Sequence, residues 1–278
     1  MKIVSFNVNG IRARQHQLAQ LIEVHAPDII ALQETKVDDS QFPCADIEAL
    51  GYHVHYYGQK GHYGVALMSR QEPLEVQYGF SNAEPDAQRR LIYAKYATVD
   101  GKPLTVINGY FPQGESRDHP LKFPAKQKFY ADLTQMLARD LDPAALLAVV
   151  GDMNVAPANV DVGIGEDNAK RWLRQGKCCF LPEEREWLAA LMDKNLYDTY
   201  RSCHPEVAAV DSNEAGRYSW FDYRSRGFER EPRRGLRIDL ILASSDLHAR
   251  CTAAGIDYTI RGMERPSDHC PIWADFAL

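Results

Sequence analysis

The sequence predicts an α/β fold: one domain over residues 1–278, with two packed antiparallel or mixed sheets carrying helices on their outer faces. Three observations lead there. Short β-rich runs alternate with amphipathic or polar stretches. No repeat, low-complexity tract or Gly/Ser linker divides the chain. The early strands follow one another with turn residues between them, which favours antiparallel or mixed pairing over a doubly wound parallel sheet. At 278 residues, 45% hydrophobic and 25% charged, the chain can bury a sizeable core, and single units of this length are common.

Taken in order, Ile3-Val4-Ser5-Phe6 reads as a strand. Residues 15–24 read as an amphipathic helix with Leu18, Leu21 and Ile22 on one face. Pro27 stops that helix before a second apolar run at 28–32. Residues 52–57, 64–68 and 74–78 read as successive strands with Gly and Pro between them. Stretches 91–99 and 103–108 flank Asp100-Gly101, a hairpin signal, and 108–115 reads as a shaped loop. A longer helix follows at 123–141, then a buried strand at 146–150 ending at Gly151. Residues 236–243 and 271–276 supply two more strands.

Composition excludes several classes. The formal net charge of −6 argues against a protein that coats nucleic acid by bulk positive charge, though not against a hydrolase that acts on it. No window approaches the roughly 18 apolar residues that span a bilayer, and the apolar run near Met1 is shorter than an export signal needs. The six cysteines form no C-x-x-C pair, so free thiols in a reducing cytoplasm are expected rather than zinc or disulfides.

Chemistry is suggested by where acids and amides fall relative to the strands. Asn7 follows the first strand and Glu34 the second. Asp152 and Asn154 follow the run at 146–150, and Asp268 and His269 precede the last strand. Strand ends bring distant residues to one sheet edge, and carboxylate and amide oxygens with one imidazole suit magnesium or manganese better than zinc. Each acid alone is more commonly a turn or cap residue. Asp239 is harder to dismiss, because a carboxylate among Ile and Leu is costly unless it is paired. Arg237 is the structural candidate for its partner, and His269 the functional one.

Two stretches are locally basic. Residues 170–177 hold four cations around Trp172, and residues 217–237 hold seven arginines against three acids, interleaved with Tyr218, Trp220, Phe221, Tyr223 and Phe228. Arginines with aromatic rings suit a surface that grips phosphates while a ring lines a sugar pocket, or equally a solvated arginine face over packed rings. Tyr110, in the loop-like 108–115 stretch, is placed near the acidic edge.

Together the motifs resemble the exonuclease III family of AP endonucleases, within the endonuclease/exonuclease/phosphatase superfamily. They are SFNVNGIRAR at 5–14, LQETKV at 32–37, GQKGHYGVAL at 58–67, NGYFPQGESRDHPLKFPAK at 108–126 and GDMN at 151–154. RWLRQGKC at 171–178, GLRIDLILAS at 235–244 and PSDHCP at 266–271 complete a near end-to-end match. QET, GDMN and SDH are superfamily-wide, whereas NGYFPQG and RGLRIDL narrow the resemblance to the DNA-repair branch.

The resemblance implies a four-layer α/β sandwich with its site at one rim. It implies that Glu34 is the principal ligand of Mg²⁺ (or Mn²⁺), with Asn7, Asp152, Asn154, Asp268 and His269 close to one or two ions. Tyr110, Asp152, Asn154, Asp239 and His269 are the implied catalytic residues. Arg90, Gln113 and Lys122 are implied DNA contacts, and Trp220, Phe221, Leu236 and Ile238 are implied to surround an abasic-sugar pocket. The implied function is AP-site incision, 3′-to-5′ exonuclease and 3′-phosphatase activity on double-stranded DNA by a monomer. The connection at 204–214 looks longer than the family's. A phosphoesterase for small substrates such as inositol phosphates would keep the same acidic motifs without needing the basic stretch. A silent DNA-binding module would not need the complete acidic set.

Overall fold

The computed structural model describes residues 1–84, 87–140, 145–208 and 217–278. The chain begins β1 (Lys2–Asn7), α1 (Gln15–His25), β2 (Ile29–Gln33), α2 (Cys44–Glu48), β3 (His53–Tyr57) and β4 (Val65–Ser69). It continues through β5 (Glu75–Tyr78), β6 (Leu91–Tyr96), β7 (Leu104–Tyr110), α3 (Lys122–Asp140) and β8 (Leu146–Asp152). Then come α4 (Glu166–Arg174), α5 (Pro182–Met192), β9 (Leu196–Asp198), α6 (Thr199–Cys203) and β10 (Asp239–Ser244). The last elements are α7 (Ser245–His248), β11 (Cys251–Ile256), α8 (Tyr258–Arg261) and β12 (Ile272–Phe276).

The strands form two six-stranded sheets, ordered β11-β12-β1-β2-β4-β3 and β5-β6-β7-β8-β10-β9. Each sheet is antiparallel except for one central parallel pair, β1 with β2 and β7 with β8. Period-two alternation explains why the central strands read as nearly continuous apolar runs. Ile3, Ile29 and Ala31 face the other sheet's Val106, Ala148 and Val150 in an inter-sheet core. The alternate residues of the first sheet, Val4, Phe6, Ile30 and Leu32, pack on Leu18 and Leu21 of α1, Ile47 of α2 and Ile260 of α8. On the second sheet's outer face, Ile107, Leu147, Val149 and Leu240 meet Phe129, Tyr130 and Leu133 of α3 and Leu188 and Leu191 of α5. The fold is a four-layer α/β sandwich.

Several boundaries differ from expectation. β7 runs on through Asn108, Gly109 and Tyr110 rather than entering a loop, because Gly109 pairs with both Leu91 and Gly151. β6 stops at Tyr96, before the expected Val99. The strand at 74–78 leaves the preceding hairpin and joins β6 in the second sheet. Asp239 opens β10 instead of lying inside it. α3 matches the expected long helix, whose last residue, Leu141, lies outside the described residues, as does the 209–214 part of the long connection.

Candidate active site

Sheet register places the site. Both parallel pairs point their carboxyl ends at the same edge, and there Tyr110 of β7 pairs with Asp152 of β8, which pairs with Asp239 of β10. Residues paired across adjacent strands share a face about 5 Å apart, so three chemistry-bearing side chains stand in one row. From the other sheet come Asn7, the last residue of β1, and Glu34, the residue after β2. Gly151 makes the close approach possible. Its φ is +140°, and a Cβ there would overlap the Gly109 carbonyl oxygen across the ladder.

These residues meet. Asn7 Nδ2 donates to Glu34 Oε1 (3.1 Å) and Asp152 Oδ2 (3.0 Å), while its Oδ1 accepts the Asn9 N–H (3.0 Å). His269 Nδ1 lies 2.9 and 3.0 Å from the two Asp239 oxygens, and Nε2 lies 3.8 Å from Asp152 Oδ2. Ser219 Oγ donates to Asp239 Oδ2 at 2.6 Å. Asp268 sits beside them, its oxygens accepting from Asn9 Nδ2 (2.8 Å) and Trp220 Nε1 (3.0 Å). Arg237 is not the partner of Asp239. It is buried on Asp161 and Asp198, both at 2.7 Å, because β9, which ends at Asp198, and the 3-10 turn 159–161 bring those acids to it.

Electrostatics follow from burial. Burial pushes the Asp152 carboxyl up to about 7; the His269 charge opposes this, and Asp239 and Glu34 reinforce it. Burial disfavours the His269 imidazolium, yet Asp239 and then Asp152 lift it to about 10. Glu34 is raised by burial but lowered more by the Lys36 ammonium 2.6 Å away, ending below the usual carboxylate range. Burial first, then Glu34 and Asp152, raise the Tyr110 hydroxyl well above its ordinary value.

Among the described residues, Glu34, Asp152 and His269 form a group whose ligand atoms lie within 4.8 Å of one another, a group that could hold a metal ion. Asn7 and Asn154, expected close to such an ion, both stand beside this group. Asn7 presents its nitrogen to the carboxylates, and Asn154 Nδ2 donates to the Phe111 carbonyl at 3.0 Å. Glu34, Tyr110, Asp152, Asn154, Asp268 and His269 all line one cavity of about 200 Å³.

The expected DNA contacts divide. Gln113, Trp220 and Ile238 line the cavity, and Lys122 is exposed at the start of α3, paired with Glu115 at 2.5 Å. Arg90 is buried, its guanidinium 4.1 Å from the Tyr63 ring and 4.5 Å from that of Tyr110, with Nη1 on the Tyr110 carbonyl. Phe221 and Leu236 have no exposed surface, which corrects their placement on the pocket. Phe221 packs edge-on against Phe228 and Tyr258, and Leu236 joins Leu181 and Phe180 in a small core. Sequence reading missed Asn9 and Lys36, which hold Asp268 and Glu34, and Ser219, which holds Asp239. It also missed Trp172 and Cys179 in the cavity wall. Asn9 and Lys36 lie inside the recognised motifs; nothing in the sequence marks Ser219.

Comparison with known proteins follows the same lines. The model of the endonuclease/exonuclease/phosphatase family matches residues 4–269. The exodeoxyribonuclease III of Haemophilus influenzae is 55% identical over 276 residues, covering 99% of this chain and 100% of that protein. A 3′ phosphatase from Neisseria, solved with a product DNA hairpin, superposes with a TM-score of 0.87 at 37% identity over the whole of both chains. An AP endonuclease from Archaeoglobus fulgidus gives the same score and identity, also over both whole chains. Among the described residues, no helix is long and apolar enough to cross a membrane.

Proposed function

The chain belongs to the endonuclease/exonuclease/phosphatase family, and from that premise we propose that it is a magnesium-dependent DNA-repair phosphodiesterase. It incises duplex DNA at abasic sites, removes nucleotides from 3′ ends and clears 3′-phosphates. The observation that carries the reading is one small cavity lined by Glu34, Tyr110, Asp152 and His269, with Asp239 bonded behind the His269 ring.

Water attacks the phosphorus in line, the bond to the 3′ oxygen breaks, and the products carry a 3′-hydroxyl and a 5′-phosphate. Asp239 fixes the His269 ring through Nδ1, which leaves Nε2 to meet a phosphoryl oxygen. Asp152, 3.8 Å from Nε2, is the carboxylate beside the attacking water, and Tyr110 offers a hydroxyl to the departing oxygen. The carboxylates of Glu34 and Asp152, with Asp268 adjoining, would hold Mg²⁺, or Mn²⁺ as a substitute. Such an ion, when bound, offsets charge on the phosphoryl and leaving oxygens.

The cavity is smaller than the roughly 300–1,000 Å³ that encloses drug-sized ligands. A base-free sugar held against Trp220 and Ile238 suits it better than an intact nucleotide, which supports preference for abasic sites. Exposed arginines within 224–234, and the exposed cations of α4, whose Trp172 lines the cavity, offer phosphate contacts despite the negative total. We take residues 1–278 as one domain acting as a monomer in the cytoplasm.

The test is end-labelled duplex DNA, with and without one abasic site, with and without Mg²⁺. Incision at the abasic position and 3′ shortening, both requiring Mg²⁺, are expected. Intact DNA alongside rapid hydrolysis of an inositol phosphate would replace this reading with the small-phosphoester one.

A further inference from the structure

Behind the cavity lies an ion pair with no exposed surface on either side chain. Lys126 of α3 and Glu184 of α5 place ammonium and carboxylate 2.5 Å apart. Such a pair is a weak device for stability, since desolvating two charges costs about as much as their attraction returns. The other hydrogen bonds of the two groups suggest a different use. Lys126 Nζ also donates to the main-chain carbonyl of Asn154 at 2.8 Å and to that of Gln113 at 3.3 Å. The second oxygen of Glu184 accepts the main-chain N–H groups of Cys179 and Leu181, both at 2.8 Å.

Three of the residues so held, Gln113, Asn154 and Cys179, line the cavity. Their side chains touch one another, with Gln113 Nε2 at 3.6 Å and Asn154 Oδ1 at 3.9 Å from the Cys179 sulfur. Two of them hold backbone conformations that L-residues avoid, φ +51° at Asn154 and φ +106° at Cys179. A non-glycine residue stays there only when its surroundings over-determine it. The Asn154 N–H in turn donates to Asp152 Oδ1 at 3.0 Å, so the clamp reaches the central carboxylate through one residue.

We propose that the Lys126–Glu184 pair is a positioning device for the reaction. From behind the cavity it sets the wall formed by Gln113, Asn154 and Cys179, and through Asn154 the orientation of Asp152. Neither charge touches substrate. The proposal rests on the phosphodiesterase reading above and adds residues that reading does not use. A shift of about 1 Å in a positioned group costs on the order of 100-fold in rate.

The experiment uses the full chain with Mg²⁺ on an abasic duplex, comparing the parent with K126M/E184L and the milder K126M/E184Q. Both remove both charges, and the second keeps an acceptor for the Cys179 and Leu181 N–H groups. The expected result is a folded K126M/E184L protein, by urea unfolding, whose kcat falls tenfold or more while KM stays within about threefold. K126M/E184Q should recover part of that loss. A folded variant with kcat within twofold of the parent overturns the proposal. So does failure of both variants to fold, which would make the pair a requirement of the fold itself. A parent that leaves the abasic duplex intact overturns the functional reading, and this inference with it. A parent that cuts no better than its variants overturns the inference alone.

Discussion

Replacing Asp239 with Asn isolates the orienting carboxylate. The substitution keeps volume and the first position of β10, so the sheet is unaffected. What it removes is the negative charge that receives His269 Nδ1 at 2.9 and 3.0 Å. The side chains of the pair are 4% and 1% exposed, so water does not stand in for the lost partner. Removing one member of such a buried pair costs about 3–5 kcal/mol, shared between the folded state and the transition state. If roughly 4 kcal/mol fell wholly on the barrier, kcat would drop about 1,000-fold. With some of it appearing as lost stability, a fall of about 100- to 1,000-fold is expected for Asp239→Asn. DNA affinity should stay within about threefold, because Asp239 is buried and lies below the cavity wall. Single-turnover cleavage of an abasic duplex in Mg²⁺ gives the rate, and anisotropy of a labelled duplex in EDTA gives the affinity. A rate within tenfold of the parent, or a loss matched by weaker DNA binding, would refute the orienting role.

Glu34→Gln should raise the apparent Mg²⁺ requirement by tenfold or more and lower the saturated rate by about 100-fold; superposable Mg²⁺ titrations would remove Glu34 from the ion site. EDTA should abolish cleavage by the parent while leaving DNA binding intact and steeply dependent on salt, as phosphate contacts require. Gly151→Ala introduces a Cβ into the Gly109 carbonyl at φ +140°, so urea unfolding should show a loss of more than about 3 kcal/mol. Asp257→Asn tests a titrating cap. Burial favours the neutral form, but His25 Nε2 at 2.7 Å and the Ile260 N–H at 2.8 Å outweigh it and hold the Asp257 carboxyl below its ordinary value. A depressed carboxyl stabilises above its unfolded value, near 4, and that contribution is lost as pH falls through the folded value. The variant still caps α8 but loses the charged acceptor of His25, so it should be less stable by about 1 kcal/mol at pH 7, with the gap closing below about pH 4.

Much of the fold was legible because the central strands carry apolar residues on both faces, and runs such as 29–33 and 146–150 have no other economical reading. β9 has three residues and β11 reads Cys-Thr-Ala-Ala-Gly-Ile, too short or too small-sided to signal. β11 forms because the Trp273 ring of the neighbouring strand covers Gly255, where a Cβ would lie 2.6 Å from it. α5 did carry a signal, with Pro at its first turn followed by Glu183 and Glu184, and could have been read. Register is what no local pattern contains. Arg237 and Asp239 are two residues apart and look like partners, yet the fold sends one to Asp161 and the other to His269. Phe221 and Trp220 are adjacent and equally aromatic, but the chain turns one inward to full burial and the other to the cavity wall.

The positive-φ residues around the cavity connect these levels. Glu34 (+52°), Asn154 (+51°) and Cys179 (+106°) each leave regular structure in a conformation costing on the order of 1–2 kcal/mol for a non-glycine residue. At Glu34 the strand has just ended, which frees the side chain from the face that a continued strand would impose. Each is held by groups fixed elsewhere: the Glu34 carbonyl accepts the Gly10 N–H at 2.7 Å, the Asn154 carbonyl accepts Lys126, and the Cys179 carbonyl accepts the Ala156 N–H at 2.7 Å. The strain is thus sustained by packing between layers and not by the local sequence. That is why the acids could be recognised from the sequence, while the conformations that aim them could be found only in the folded chain.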